Sequence, residues 1–419
     1  MTDYVRIARK ITTVLFLVQS LSSAGFIAFF TVNALVGAEL SGRASLAGVP
    51  EAVRVLGQAL AALAWGCTMQ RIGRRRGFAL GQIVGVIGSV VAGSAVIVRS
   101  FPLFLFGLLL VGMARASADL GRFAAAEVHL PDQRGRAIAN VVMGGTVGSV
   151  VGPLLVGPTG HLSLVAGLPE LAGPYSIGFL FWGIAGALVF KGLKPDPLDV
   201  SRELARLNPE AIPHLGRSRP LWEIVPKRGV VVAIAAVVFA QMVMITLMVM
   251  TSVHMKALRY PLTSVSLVIS AHTLGMYTFS IVSGRLTDRW GRGPMIIAGS
   301  TLLILSCLLA APATGLPALL LALFLLGLGW NLAYVAGSAL LTDQLSPTER
   351  AKTQGFNDLL LGLASAGGSL GSAAIFSAAG YATLGVAAAS AALIPLILAL
   401  WWQCQGRPAP PQRIHADLR

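Results

Sequence analysis

The 419-residue chain is poor in charge, with 12% of its residues Asp, Glu, Lys or Arg, where an average soluble domain carries about 25%. Acids are the scarcer sign, 17 against 32 bases, for a formal net charge of +15. Cysteine is nearly absent: Cys67, Cys307 and Cys404 are scattered and odd in number, which excludes a disulfide framework or a zinc-binding spacing. No glycine-rich phosphate loop, HExxH or CxxC occurs, so neither direct ATP drive nor an enzyme's catalytic cluster is indicated, and no cofactor or metal is expected.

What the chain has instead is apolar length. Hydrophobic residues make up 55%, and the mean hydropathy is +0.76. Twelve apolar runs recur, at 12–36, 50–69, 77–98, 102–128, 137–158, 174–191, 229–252, 262–284, 294–312, 317–342, 353–378 and 381–402. Each is long enough to cross a hydrocarbon core of about 30 Å. In lipid such runs must be helical, because only a helix satisfies its own backbone. The fold class expected is an all-α polytopic membrane protein. The apolar run after Arg6, Arg9 and Lys10 lacks a small-residue cleavage site and reads as the first span.

The bases crowd one set of loops: Arg71 and Arg74 to Arg76 after span two, Arg134 and Arg136 after span four, and the polar stretch 192–228. The alternate loops hold only Arg43, Arg99, Lys256 and Arg259. This is the positive-inside bias, and it places both termini in the cytoplasm of a cell whose plasma (inner) membrane holds the protein. The basicity is thus a topology signal, and no nucleic-acid partner is expected. Residues 192–228 divide the chain into bundles 1–191 and 229–402, with a tail at 403–419.

The two halves repeat. "GRLTDRWGRGPM" (Gly284 to Met295) follows span eight, and a degraded copy, "GCTMQRIGRRRG" (Gly66 to Gly77), follows span two, 218 residues earlier. A second signature, acid-x3-proline-x2-arginine, occurs as Glu127 to Arg134 and Asp343 to Arg350, offset by 216. Two independent motifs at matching offsets indicate internal duplication: twelve transmembrane helices in two pseudo-symmetric six-helix bundles. The first copy has Gln70 where the second has Asp288.

The later turn resembles the inter-helix signature of the major facilitator superfamily, glycine-x3-Asp-Arg-x-Gly-Arg, and the acid-x6-arginine stretches resemble that superfamily's loops after spans four and ten. The resemblance implies a secondary transporter working by alternating access, with its site between the bundles. It also implies an inner-face latch, made of Gly66, Gln70, Arg71, Gly73 and Arg74 in one half and Gly284, Asp288, Arg289, Gly291 and Arg292 in the other. Glu127, Arg134, Asp343 and Arg350 are expected in the same network. By that analogy Asp288 faces span five and position 70 faces span eleven. A neutral Gln70 would weaken the first latch by about 0.3–1 kcal/mol, the worth of a charge at a helix N-terminus.

Charges deep in a span are costly and mark function. Arg115, Asp119 and Arg122 stand at i, i+4 and i+7 on one face of span four. Asp119 is the expected proton-coupling carboxylate, with Arg115, Arg122 and, at lower rank, His272. Arg115 also matches a span-four arginine of many superfamily antiporters, without the flanking glutamine-glycine. Gly148, Gly152 and Pro153 resemble the span-five antiporter signature and point toward helix packing and export. Asn33, Gln241, Trp330, Asn331 and Tyr334 are the expected substrate contacts. The expected partners are a small amphipathic molecule, protons and the lipid bilayer, with the protein working as a monomer. The alternative is a proton-coupled importer of an organic anion or nutrient.

Overall fold

The computed structural model describes residues 2–130, 133–207 and 219–405, and every element among them is helical. Among the described residues, ten helices are long and apolar enough to cross a membrane, and a bent helix pair, Ala44–Ala62 with Ala64–Ile72, makes an eleventh. One of the ten, Lys352–Cys404, runs 53 residues, which at about 1.5 Å per residue is more than twice what a bilayer needs. It contains Gly380 at φ 78°, ψ −178°, a backbone conformation open to glycine. There the chain breaks into two spans, and the count among the described residues is twelve.

The spans run Thr2–Ser41, Val49–Ile72, Arg74–Ile97, Phe101–Asp119 continued by Gly121–Glu127, Arg134–Leu154 continued by Val156–Val165, and Gly173–Gly192 in the first half. The second half has Arg228–Ala257, Leu262–Tyr277 continued by Ser280–Trp290, Arg292–Ala310, Leu316–Asp343, and the two spans within Pro347–Cys404. Span five runs past the expected end at 158, with its break at Leu155, just beyond Pro153. The expected tail lies outside the described residues beyond Gln405, as do 131–132 of the first loop signature and 208–218 of the connector.

The same packing rule operates twice. Span one lies on five, two on four, three on four and three on six; seven lies on eleven, eight on ten, nine on ten and nine on twelve. Between the halves, span two meets eleven, five meets eight, and one meets seven, the exchange that a two-fold relation demands. Large apolar side chains such as Val90, Phe106, Phe179, Leu180 and Ile397 remain exposed on the outside, where lipid is their solvent. The protein is an integral, multi-pass membrane protein.

Contacts between halves concentrate at the face away from the termini. There Ser369 Oγ donates to the Gly48 carbonyl at 2.9 Å, and Gly157 and Gly160 lie against Thr263 and Leu262. At the terminal face the two motif turns are built alike. Gly73 (φ 92°) and Gly291 (φ 94°) each begin the next span. Arg74 Nε donates to Glu127 at 3.0 Å, and Arg292 Nε donates to Asp343 at 2.9 Å. The arginine of one signature thus clasps the acid of the other within each half.

The connector is tied down at both described ends. Asp196 accepts the backbone N–H groups of Arg74 and Arg75, both at 3.0 Å, at the start of span three. Its helix Pro197–Leu207 lays Val200 and Leu204 on the first half's core and leaves Arg202, Glu203 and Arg206 outside. At the far end Arg219 Nη2 donates to Glu349 at 2.8 Å. Glu349 also closes a capping box with Ser346 at the start of span eleven.

The Arg219 guanidinium and the cap hold the Glu349 carboxyl well below the usual carboxylate range. Its contribution to stability is therefore complete above the unfolded value of about 4.3 and lost as pH falls toward the folded one. Thermal unfolding in detergent should show the wild type losing midpoint temperature below that pH. Glu349→Gln should start lower at neutral pH and fall less on acidification. Arg219 is partly exposed, so the effect is modest.

Candidate functional site

The span-four face forms as its spacing requires, and a cavity of about 130 Å³ lies against it. Arg115, Asp119 and Arg122 line it with Gln19 and Ser23 of span one, Thr146 and Ser149 of span five, and Tyr277 of span eight. Both halves therefore contribute. A larger groove of about 1180 Å³ opens near the terminal face along Tyr4, Arg9, His129, Arg136 and Met143. None of the sequence-predicted site residues is among its described lining.

Within the cavity, Arg115 Nε pairs with Asp119 Oδ1 at 3.1 Å, and its Nη1 donates to Ser23 Oγ at 3.0 Å. The other carboxylate oxygen accepts from Gln58 Nε2 of span two at 3.0 Å. Gln58 in turn accepts from Arg54 at 2.8 Å, and Arg54 is paired with Glu51. The Phe26 ring sits between two guanidiniums, 4.7 Å from Arg54 and 4.8 Å from Arg115. Such cation–π contacts are worth about 2 kcal/mol when desolvated.

Two close backbone approaches set this geometry. A Cβ at Gly112 would stand 2.0 Å from the Arg54 carbonyl oxygen, so spans two and four touch main chain to main chain. Gly148 does the same for spans one and five, where a Cβ would stand 1.9 Å from the Ser20 carbonyl; Gly152 repeats this one turn on, at Ala24. The span-five glycines thus act in helix packing beside the cavity.

An aromatic wall extends from Tyr277. The Trp330 ring meets it edge-on at 6.4 Å and stacks on Tyr334 at 4.6 Å. Gln241 fixes that wall, accepting from Trp330 Nε1 at 2.9 Å and donating to Ser365 at 3.0 Å. Arg122 has a buried Nε with no hydrogen-bond partner and lies over the Phe123 ring at 4.9 Å.

Three predicted residues sit elsewhere, as struts inside a bundle. Asn33 accepts from Tyr175 at 3.1 Å in the first half's core. Asn331 ties span ten to span eight through the Met276 carbonyl, Ser280 and Ser283. His272 is fully buried, its Nδ1 3.0 Å from the Leu323 carbonyl. At the terminal face Asp288 is exposed and pairs with Arg292 of its own turn at 2.8 Å, so the analogy's contact with span five is not made in this conformation. Gln70, Arg71 and Arg350 are exposed there, and Arg289 lies in the last turn before Gly291. Arg134 reaches the His129 carbonyl at 3.3 Å.

Sequence reasoning missed the span-two set. Glu51, Arg54 and Gln58 stand at i, i+3 and i+7, the same kind of one-faced spacing that marked span four. Asp196 carried no such signal, for its partners are 121 and 122 residues away.

A twelve-span duplicated bundle with a charged, aromatic-walled cavity between its halves defines a membrane transporter, and the comparisons agree. The Major Facilitator Superfamily pattern matches residues 15–264 and 232–418, and the chain belongs to that family. It is 36% identical over 397 residues to the uncharacterized MFS-type transporter YddS of Bacillus subtilis (strain 168), covering 94% of this chain and 91% of that protein. It is 29% identical over 396 residues to the riboflavin transporter RfnT of Brucella anthropi, covering 94% and 96%. Among solved structures, an auto-inhibited POT family peptide transporter superposes with a TM-score of 0.70 at 14% identity, covering 97% of this chain and 98% of that one, a likeness of fold. The family and these relatives are transporters, not enzymes.

Proposed function

We propose that the protein is a proton-coupled exporter of small amphipathic aromatic compounds, working as a monomer by alternating access, with its termini in the cytoplasm. The observation that carries this reading is a carboxylate, Asp119, held by Arg115 in a cavity between the halves. An ionisable acid there can be loaded from one side and discharged to the other as the bundles rock. The Trp330–Tyr334 stack and Tyr277 supply a flat apolar face for a ring system. The basic loops at the terminal face support this orientation. The clustering of inter-half contacts at the opposite face supports reading this conformation as inward-open.

A second reading, proton-coupled uptake of an aromatic organic anion, is favoured by the unpartnered Arg122 Nε and by the full-length similarity to a riboflavin transporter.

Inside-out vesicles holding an acid-inside gradient, with a pH-quenched dye, separate the two. Collapse of the gradient on adding cationic or neutral aromatic compounds supports export. No collapse, together with proton-driven accumulation of riboflavin or another aromatic anion in right-side-out vesicles, replaces export by uptake.

A further inference from the structure

Span two carries a buried charge chain behind the cavity wall. Glu51 and Arg54 are 2% and 5% exposed. Arg54 Nε lies 3.0 Å from both Glu51 oxygens, and its Nη2 is 2.7 Å from Oε1. Its remaining arm, Nη1, donates to Gln58 Oε1 at 2.8 Å. That bond decides which way the amide points. A guanidinium has donors and no acceptor, so the amide oxygen must face Arg54. The amide nitrogen is left toward Asp119, where it donates to Oδ2.

Both carboxylate oxygens of Asp119 therefore face donors, Arg115 Nε on one side and Gln58 Nε2 on the other. A neutral carboxylic acid carries a proton that itself needs an acceptor. Gln58 cannot supply one without flipping, and a flip would set its NH₂ against the Arg54 N–H. Glu51 holds Arg54 from swinging aside.

We propose that Glu51, Arg54 and Gln58 are positioning residues that hold Asp119 ionised in this conformation, so that its protonation requires Gln58 and Asp119 to part and removes one of the polar ties between span two and span four. This rests on the reading of Asp119 as the coupling carboxylate. Glu51 also lies three residues from Gly48, where span eleven's Ser369 closes the seam opposite the terminal face. Protonation in the cavity is thereby tied to the helix that makes the seam. The other groups within electrostatic reach of Asp119 are Arg122 on its own span, Tyr277 on span eight, Tyr334 on span ten and Asp358 on span eleven. Spans one and five face the cavity with uncharged Gln19, Ser23, Thr146 and Ser149.

The test needs no substrate. Infrared titration of the full chain in liposomes follows the carboxylic C=O band that Asp119→Asn removes. Gln58→Met keeps the length and removes the donor. Its midpoint should rise by about one to two pH units, the worth of one hydrogen bond to a charged group. The paired variant Glu51→Gln with Arg54→Met removes both charges together, leaving neither buried alone. It frees the amide to flip and should move the midpoint the same way by a smaller amount. An unchanged midpoint in both variants, with the Asp119 band still titrating, overturns the relay and leaves the coupling reading intact. If Asp119→Asn removes no titrating band, both fall.

Discussion

Asp119→Asn should abolish gradient-driven flux while leaving substrate exchange at equal pH. The asparagine keeps the shape of the side chain and one acceptor oxygen, so the cavity walls and the aromatic face stay in place. It cannot take up a proton, and its amide nitrogen must oppose either Arg115 or Gln58, both donors in this arrangement. Arg115 then loses the charge that neutralises it and keeps its contacts to Ser23 and the Phe26 ring. Counterflow of labelled substrate, with no pH difference across the vesicle, reads binding and rocking without coupling. Gradient-driven transport reads all three. Retention of the first with loss of the second identifies a coupling group. Persistence of both would move the coupling site to another acid, with Glu51 and Asp358 the next to test.

The second large effect is one of packing. Gly112→Val should strongly reduce folded, monodisperse protein, because the added Cβ would stand 2.0 Å from the Arg54 carbonyl oxygen. Both sides of that contact are main chain, so no rotamer change relieves it and the spans must separate. Overpacking of this kind costs about 1–3 kcal/mol, or more when backbone must move. The displacement also pulls Gln58 from Asp119, so residual protein should show altered proton coupling. Gly66→Val is the control. Gly66 belongs to the motif turn, yet a Cβ there meets nothing within 4 Å, and its folding should be close to wild type in fluorescence-detected size exclusion. Equal behaviour of the two variants would mean that the span two–four approach does not organise the site.

Much of the architecture was legible in the sequence, because lipid imposes length and the duplication imposes register. The offsets of 216 and 218 already aligned Glu127 with Asp343 and Arg74 with Arg292, the two clasps found at the terminal face. The Arg115–Asp119 face was legible for the same reason: a charge in mid-span has one tolerable direction to point. Azimuth was not legible for uncharged polar residues. With lipid on one side and apolar core on the other, these helices are hydrophobic all round, and nothing in the pattern separates a cavity wall from a bundle interior. Asn331 and His272 turn inward to neighbouring helices, while Trp330, one residue from Asn331, stacks on Tyr334. The span-two chain was overlooked because Glu51 stands at the start of its run, where a charge reads as an end marker.

The missing acid at Gln70 finds its counterpart in Asp196. In the second repeat the motif turn brings its own carboxylate, Asp288, to Arg292. In the first, a carboxylate beyond span six occupies the mouth of span three, seated on two backbone N–H groups. The repeats have therefore ceased to be interchangeable parts. A chain joining two copies of the first repeat would lack an anion at one turn unless the connector were duplicated with it.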